Sequence, residues 1–193
     1  MPEDTKYELA YTKVSASPQP RLPLSRPPCH DVDQCSPPFP TPLAQASAKL
    51  LKYFNGANDA EERLERTTPT LAALLLSKDS RASERNYSFS MWLPTTYQNE
   101  ARDEVPQPND EEIQIMDYPG TTVYVRTFGG FATEATALQE ITTLHEELTK
   151  DEQEFEEDVV FVAVYDSAVK LLNRHNEVHV MKKGEAPSTA QVS

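Results

Sequence analysis

Leu43, Ser47, Leu50, Leu51 and Phe54 fall three and four residues apart, the spacing that lines up one face of a helix. Thr41 and Pro42 precede them as an N-cap hydroxyl and a first-turn proline. Gly56 stands where a left-handed C-terminal cap belongs. The spacing predicts a first helix over 41–55. Tyr87, Phe89, Met91 and Leu93 then alternate with Ser88, Ser90 and Trp92, the period-two pattern of a half-buried strand, which Pro94 ends. A further strand centres on Ile113 and Ile115. Asp117-Tyr118-Pro119-Gly120 carries Pro and Gly at the central positions of a type II turn. The strand over 121–128 is therefore expected to fold back on its predecessor as a hairpin.

Gly129-Gly130 breaks that strand, and Ala135, Leu138, Ile141, Leu144, His145 and Leu148 mark one stripe of a second helix with an acidic outer face. The nearly all-charged stretch 150–158 reads as a solvated connection. The Val-rich apolar run 159–165 reads as a central strand, and a last strand covers 177–181. The predicted order is helix, strand, hairpin, helix, strand, strand.

Ten of the sixteen prolines lie within residues 1–42, where few backbone groups can join a helix or ladder. The domain reading is thus a mostly disordered Pro-rich extension over 1–40, one folded domain over 41–183 and a flexible tail over 184–193. A chain of 193 residues suits one such domain. The 31 acidic and 18 basic residues give a net charge of -13, which disfavours nucleic acid as a partner because phosphate binding needs clustered Lys and Arg. No run of about twenty apolar residues predicts a membrane span, and the opening Met1-Pro2-Glu3-Asp4 does not resemble a secretory signal. The expectation is a soluble, cytoplasmic protein.

Cys29 and Cys35 fit neither zinc nor thioredoxin-like spacing. They read as two unrelated surface thiols or, in an oxidising compartment, as a small disulfide loop. No metal site and no catalytic constellation is legible: the chain lacks a Gly-x-Ser-x-Gly elbow, a Gly-Lys-Ser/Thr phosphate loop and paired helical histidines around a Glu. The acidic run after Glu146 reads as a solubilising face, so an enzyme is not expected.

The run YDSAVKLLNRHNEV over 165–178 is similar to a motif of the SOUL/haem-binding protein family: a tyrosine-initiated loop, a Lys-Leu-Leu step and an Asn-Arg-x-Asn-Glu-Val corner. TVYVRTFGGF over 122–131 resembles the family's strand, double-glycine turn and helix start, and LLKYFNGAN over 50–58 resembles the end of its first helix. The resemblance implies an α+β fold, a distorted antiparallel β-barrel or strongly curved sheet with two helices, built from pseudo-repeated halves. It also implies a non-enzymatic protein that buffers or carries haem or another tetrapyrrole. The alternative is a relative without haem affinity that acts through protein-protein contacts.

The chain departs from the family pattern in three places. The opening strand corresponds only to Tyr7-Glu8-Leu9-Ala10-Tyr11, followed by the proline-rich insertion. Arg66-Thr67-Thr68-Pro69-Thr70 stands where a Met-Thr-x-Pro-Val strand is usual, which puts that core element in question. His179 stands where the family usually has tryptophan, turning an aromatic anchor into a candidate ligand.

Haem needs an apolar slot, cations for its propionates and, for tight binding, an axial ligand. The opening-strand position that supplies a histidine in some family members is matched most nearly by Tyr11, so that ligand has not carried over. By resemblance, Lys49, Lys52, Lys170 and Arg174 are the cations placed to meet propionates, with ordinary solvated side chains as the alternative. His179 is a candidate ligand or a barrel-rim histidine. In an extended segment His175 and His179 would stand roughly 13 Å apart, too far to share a metal. His145 reads as a satisfied boundary histidine.

Overall fold

The computed structural model describes residues 21–25, 40–76, 83–97, 105–117, 122–167 and 169–184. Tyr11, Cys29 and Cys35 lie outside the described residues. The elements run β1 (Arg21–Ser25), α1 (Pro40–Phe54), β2 (Thr70–Leu76), β3 (Ser83–Met91), β4 (Ile113–Asp117), β5 (Val123–Phe128), α2 (Glu134–Lys150), β6 (Phe155–Val164) and β7 (Asn176–Lys182).

The strands form one antiparallel sheet in the order β4-β1-β3-β2-β6-β7-β5. That order contains a repeat. In β1-α1-β2-β3 the first strand pairs with the last and the last with the middle one, and β5-α2-β6-β7 does the same. The two β-α-β-β units meet along a single ladder, β2 with β6. The pseudo-repeated α+β architecture implied by the resemblance is therefore present.

The expected hairpin between β4 and β5 is not. β4 pairs with β1 and β5 with β7, at opposite edges of the sheet. A Pro-Gly turn reverses the chain only locally, and each strand finds its ladder elsewhere. Six residue steps separate Asp117 from Val123, a reach of at most about 20 Å. Seven strands laid flat would span roughly 29 Å at about 4.8 Å each. The sheet must curl to bring its edges toward each other, and among the described residues those edges share no ladder.

Two further differences concern β1 and β2. Arg21–Ser25, inside the segment expected to be mostly disordered, is a strand between β3 and β4. It occupies in the first unit the place of β5 in the second, while the candidate opening strand, Tyr7 to Tyr11, lies outside the described residues. β2, absent from the predicted order, is central, with Leu71, Ala72, Leu74 and Leu76 buried. β6 also starts earlier than expected, so Phe155 and the acidic residues after it are strand, joined to the remainder through a register shift.

Both helices cover the same face of the sheet. α1 packs on β1 and β3, and α2 on β5, β6 and β7. Ala46, Leu50, Tyr53 and Phe54 from α1 and Ala137, Ile141, Leu144 and Leu148 from α2 meet Leu74, Phe89, Val160, Val162, Val178 and Val180 in one core. The α2 stripe thus runs through Ala137, with Ala135 exposed. The two helices end alike. Ala57 N donates to Lys52 O and Gly56 N to Tyr53 O after α1; Gln153 N donates to Leu148 O and Glu152 N to Thr149 O after α2. These are two Schellman endings with left-handed residues at Gly56 (φ 107) and Glu152 (φ 56).

Candidate functional site

The family-like motif over 165–178 forms the turn between β6 and β7. Arg174, buried in that turn, is its organiser: Nη1 donates to the carbonyls of Ser167 and Lys170, both at 2.7 Å, and Nη2 to that of Asp166 at 3.2 Å. The guanidinium lies 4.6 Å from the centroid of the Phe131 ring. Asp166 closes the turn from the other side, accepting from His175 N and from Lys170 Nζ, each at 2.7 Å. These bonds hold its carboxyl below the usual carboxylate range, the Lys170 contact contributing most.

The turn so fixed turns its apolar side chains outward. Val169 is 85% exposed, Leu171 71% and Leu172 79%, and Phe131 beside Arg174 is 50% exposed. Lys170, between Val169 and Leu171 in the chain, is 44% exposed and paired with Asp166. Asn176, the next motif residue, is fully buried and donates through Nδ2 to the carbonyls of Phe128 and Gly130, tying β7 to the double-glycine turn before α2.

β7 alternates its side chains between the two faces. Asn176, Val178 and Val180 enter the core, which leaves Glu177 and His179 on the helix-free face. Across the strands His179 stands level with Val125 on one side and with Phe161 and then Ala73 on the other. Its Nε2 is 2.8 Å from Glu177 Oε2. Glu177 also accepts from Tyr165 Oη on Oε2 and meets His175 Nε2 on Oε1, each at 2.8 Å. Burial works against the charge, yet these bonds, that from His179 foremost, bring the Glu177 carboxyl down to about 2. The same carboxylate, with burial as the larger cause, pushes the Tyr165 phenol up.

Both imidazoles therefore converge on one carboxylate, against the expectation that they stand far apart. The spacing along an extended segment measures backbone; side chains at alternate positions share a face, and both rings lean toward the residue between them. Glu177 is the group that sequence reasoning missed. Its signal was the period-two placement of His175, Glu177 and His179.

The five sequence-predicted site residues separate into two groups. Lys170, Arg174 and His179 belong to the β6-β7 hairpin. Lys49 and Lys52 lie on α1 in the other unit, where Lys49 pairs with Glu112 and Lys52 is exposed. Arg174 is committed to backbone carbonyls. His145 on α2 is half-buried with its ring 4.9 Å from that of Phe155, and its Nε2 lacks a hydrogen-bond partner. Burial lowers its pKa. Among the described residues no group of three or more His, Cys, Asp or Glu is arranged to hold a metal ion, and no helix is long and apolar enough to cross a membrane.

The hairpin thus carries an exposed apolar surface, a lysine paired with Asp166 and, on the adjoining sheet, an imidazole paired with Glu177. The model of the SOUL heme-binding protein family matches residues 38–181. Heme-binding protein 2 of Homo sapiens is 33% identical over 137 residues, 71% of this chain and 64% of that protein, so the alignment spans just under two thirds of the relative's length. Heme-binding protein 1 of Mus musculus is 31% identical over 147 residues, 75% of this chain and 74% of that one. Among solved structures, an uncharacterized conserved protein from Listeria innocua superposes with a TM-score of 0.50 at 9% identity, covering 85% of this chain and 88% of the other, a likeness of fold alone. By the family match and the identity to these relatives, the chain belongs to the SOUL heme-binding protein family.

Proposed function

We propose that this protein binds haem or a related tetrapyrrole reversibly, without catalysing a reaction, and buffers or carries it in the cytoplasm. The observation that carries the reading is the exposed 166–173 turn. Val169, Leu171 and Leu172 stand out to solvent around Lys170, with Phe131 beside Arg174. Soluble proteins seldom leave such side chains clustered without a use. A flat macrocycle covers apolar surface, and a lysine at the edge of the contact can take a propionate. Arg174 and Asp166 hold the turn in shape beforehand, so little ordering remains to be done on binding. Lys49 and Lys52 are assigned no part in this contact.

Titration with haemin, followed in the Soret region, tests the reading. Affinity is expected at micromolar or weaker, about -8 kcal/mol or less favourable. Leu171→Asp and Leu172→Asp replace exposed side chains that hold no part of the turn, so both proteins should fold; each is expected to weaken binding about tenfold, roughly 1.4 kcal/mol. Unchanged affinity in both would remove the turn from the site, and a parent protein that binds neither haemin nor protoporphyrin would end the reading. The same apolar turn would then favour the second reading, a family relative that works through protein contacts.

A further inference from the structure

The two ends of the β6-β7 hairpin differ in charge. Eight acidic residues lie between Glu146 and Asp158, with Lys150 as the one base among them. They occupy the end of α2 and the start of β6, where Phe155 stands level with Lys182. More than half of the net charge of -13 sits there. β6 then runs ten residues, about 30 Å, before Val164 comes level with Asn176 and the turn begins. Over 165–177 the charges balance, Asp166 and Glu177 against Lys170 and Arg174. Asp166 is paired with Lys170, and Glu177 is bonded by Tyr165, His175 and His179.

At this balanced end Val169, Leu171 and Leu172 are each more than 70% exposed. Side chains so uncovered form a projection from the surface, not a groove. Arg174 and Asp166 hold its backbone from within, so the apolar groups are presented with little left to order on contact. A second copy of the chain covers such a projection poorly. Tip to tip, each copy brings three aliphatic side chains and the half-exposed Phe131, short of the roughly 800 Å² per partner of a standard interface. A bilayer closes around a projection of any shape, and the negative potential of an anionic leaflet repels the acidic end of the molecule while leaving the balanced end free to approach. Charge distribution and shape thus select the same orientation, turn first.

We infer that the 166–173 turn, with Phe131 beside it, is a membrane-docking tip that inserts reversibly into the interfacial layer of a lipid bilayer. The contact is peripheral: the apolar side chains of one turn reach the boundary between headgroups and acyl chains and go no further. The inference goes beyond the tetrapyrrole reading and needs no bound macrocycle, although both use the same turn.

Flotation of the haem-free full chain with phosphatidylcholine vesicles, at low and at high salt, is the test. The parent should float at either salt, because apolar burial carries the contact. Leu171→Asp and Leu172→Asp should each lower the ratio of bound to free protein at least tenfold. Leu172→Trp should raise it about threefold, since tryptophan favours the interface. Leu75→Thr, at an exposed apolar position level with Val159 near the acidic end, should leave it unchanged. Urea midpoints equal to the parent's show that the variants are folded. A parent that stays in solution, flotation lost at high salt, or one ratio shared by the parent and both Asp variants overturns the inference. Sedimentation equilibrium covers the other occupant: a parent dimer that the Asp variants dissociate, in a chain that does not float, makes a second copy the partner instead. Haemin titration of the same proteins is read separately, so a chain that floats without binding haemin ends the tetrapyrrole reading and leaves this one standing.

Discussion

The Arg174 guanidinium and the Phe131 ring lie 4.6 Å apart, cation over aromatic face. The same guanidinium holds three carbonyls of the 166–173 turn. Arg174→Ala should therefore cost about 1.5–3 kcal/mol, because three part-buried carbonyls lose a charged donor. Arg174→Lys should recover only part of this, since an ammonium cannot replace a planar fork spread over three acceptors. Urea unfolding measures the loss. Hydrogen exchange at Lys170 and His175 amides should quicken in both variants, and protection equal to the parent's would show that Arg174 does not hold the turn.

Glu177 gives the fold an acid-sensitive component. Its folded value, about 2, lies below the ordinary 4.5. A carboxyl depressed in this way contributes its full stabilisation above the ordinary value and loses it as pH falls through the folded one. The parent should thus lose stability between about pH 4.5 and 2. Glu177→Gln should be less stable than the parent at pH 7, with the difference shrinking over that window. Urea midpoints at a series of pH values decide; a difference independent of pH would mean the charge does not matter.

His145 acts at milder pH. Its proton affinity is lowered by burial against Phe155 and only partly restored by Glu157. The unfolded chain takes up the proton first, so stability is whole above about 6.5 and declines as pH drops below it, levelling off once the folded histidine is charged. His145→Leu should remove that decline. Thermal unfolding at pH 7.5 and 5.5 is the measurement, and an equal drop in both proteins would place the decline elsewhere.

The strand Arg21–Ser25 lies between β3 and β4. A chain shortened to begin at Arg21 should retain its full sheet. One beginning at Pro40 should lose β1 and leave β4 without its partner. Amide exchange over Ile113–Asp117 reports the difference: those amides should stay protected in the first chain and exchange rapidly in the second.

Glu152 holds the left-handed position that Gly56 holds after α1. A residue with a Cβ is disfavoured there by about 1 kcal/mol. Glu152→Gly should raise the stability by about that amount, read as a higher urea midpoint with an unchanged slope.

Reading the sequence located both helices, the alternating part of β3, and the strands β4 to β7 to within a few residues, because each carries a clear period or a flanking breaker. β2 escaped because TLAALLL has the composition of a helix and becomes a strand only through partners on both sides. The β4-β5 hairpin failed for the converse reason: the turn signal was local and the pairing was not. At the site, the motif residues Arg174 and Asn176 were visible, but their work inside the turn was not, since bonds to backbone carbonyls leave no side-chain pattern. Glu177 looked like one more acid in an acidic chain; its role appears only when alternate residues of one strand are seen to face the same way.

That alternation also bears on how such a protein changes over time. Val178 and Val180, on either side of His179, are the residues that fill the core, so the fold tolerates little variation at them. Position 179 carries no such duty. Mutation can exchange an aromatic residue for an imidazole there, or back again, without disturbing the packing that keeps the molecule folded, and chemistry at that point of the surface is free to drift while the architecture beneath it stays the same.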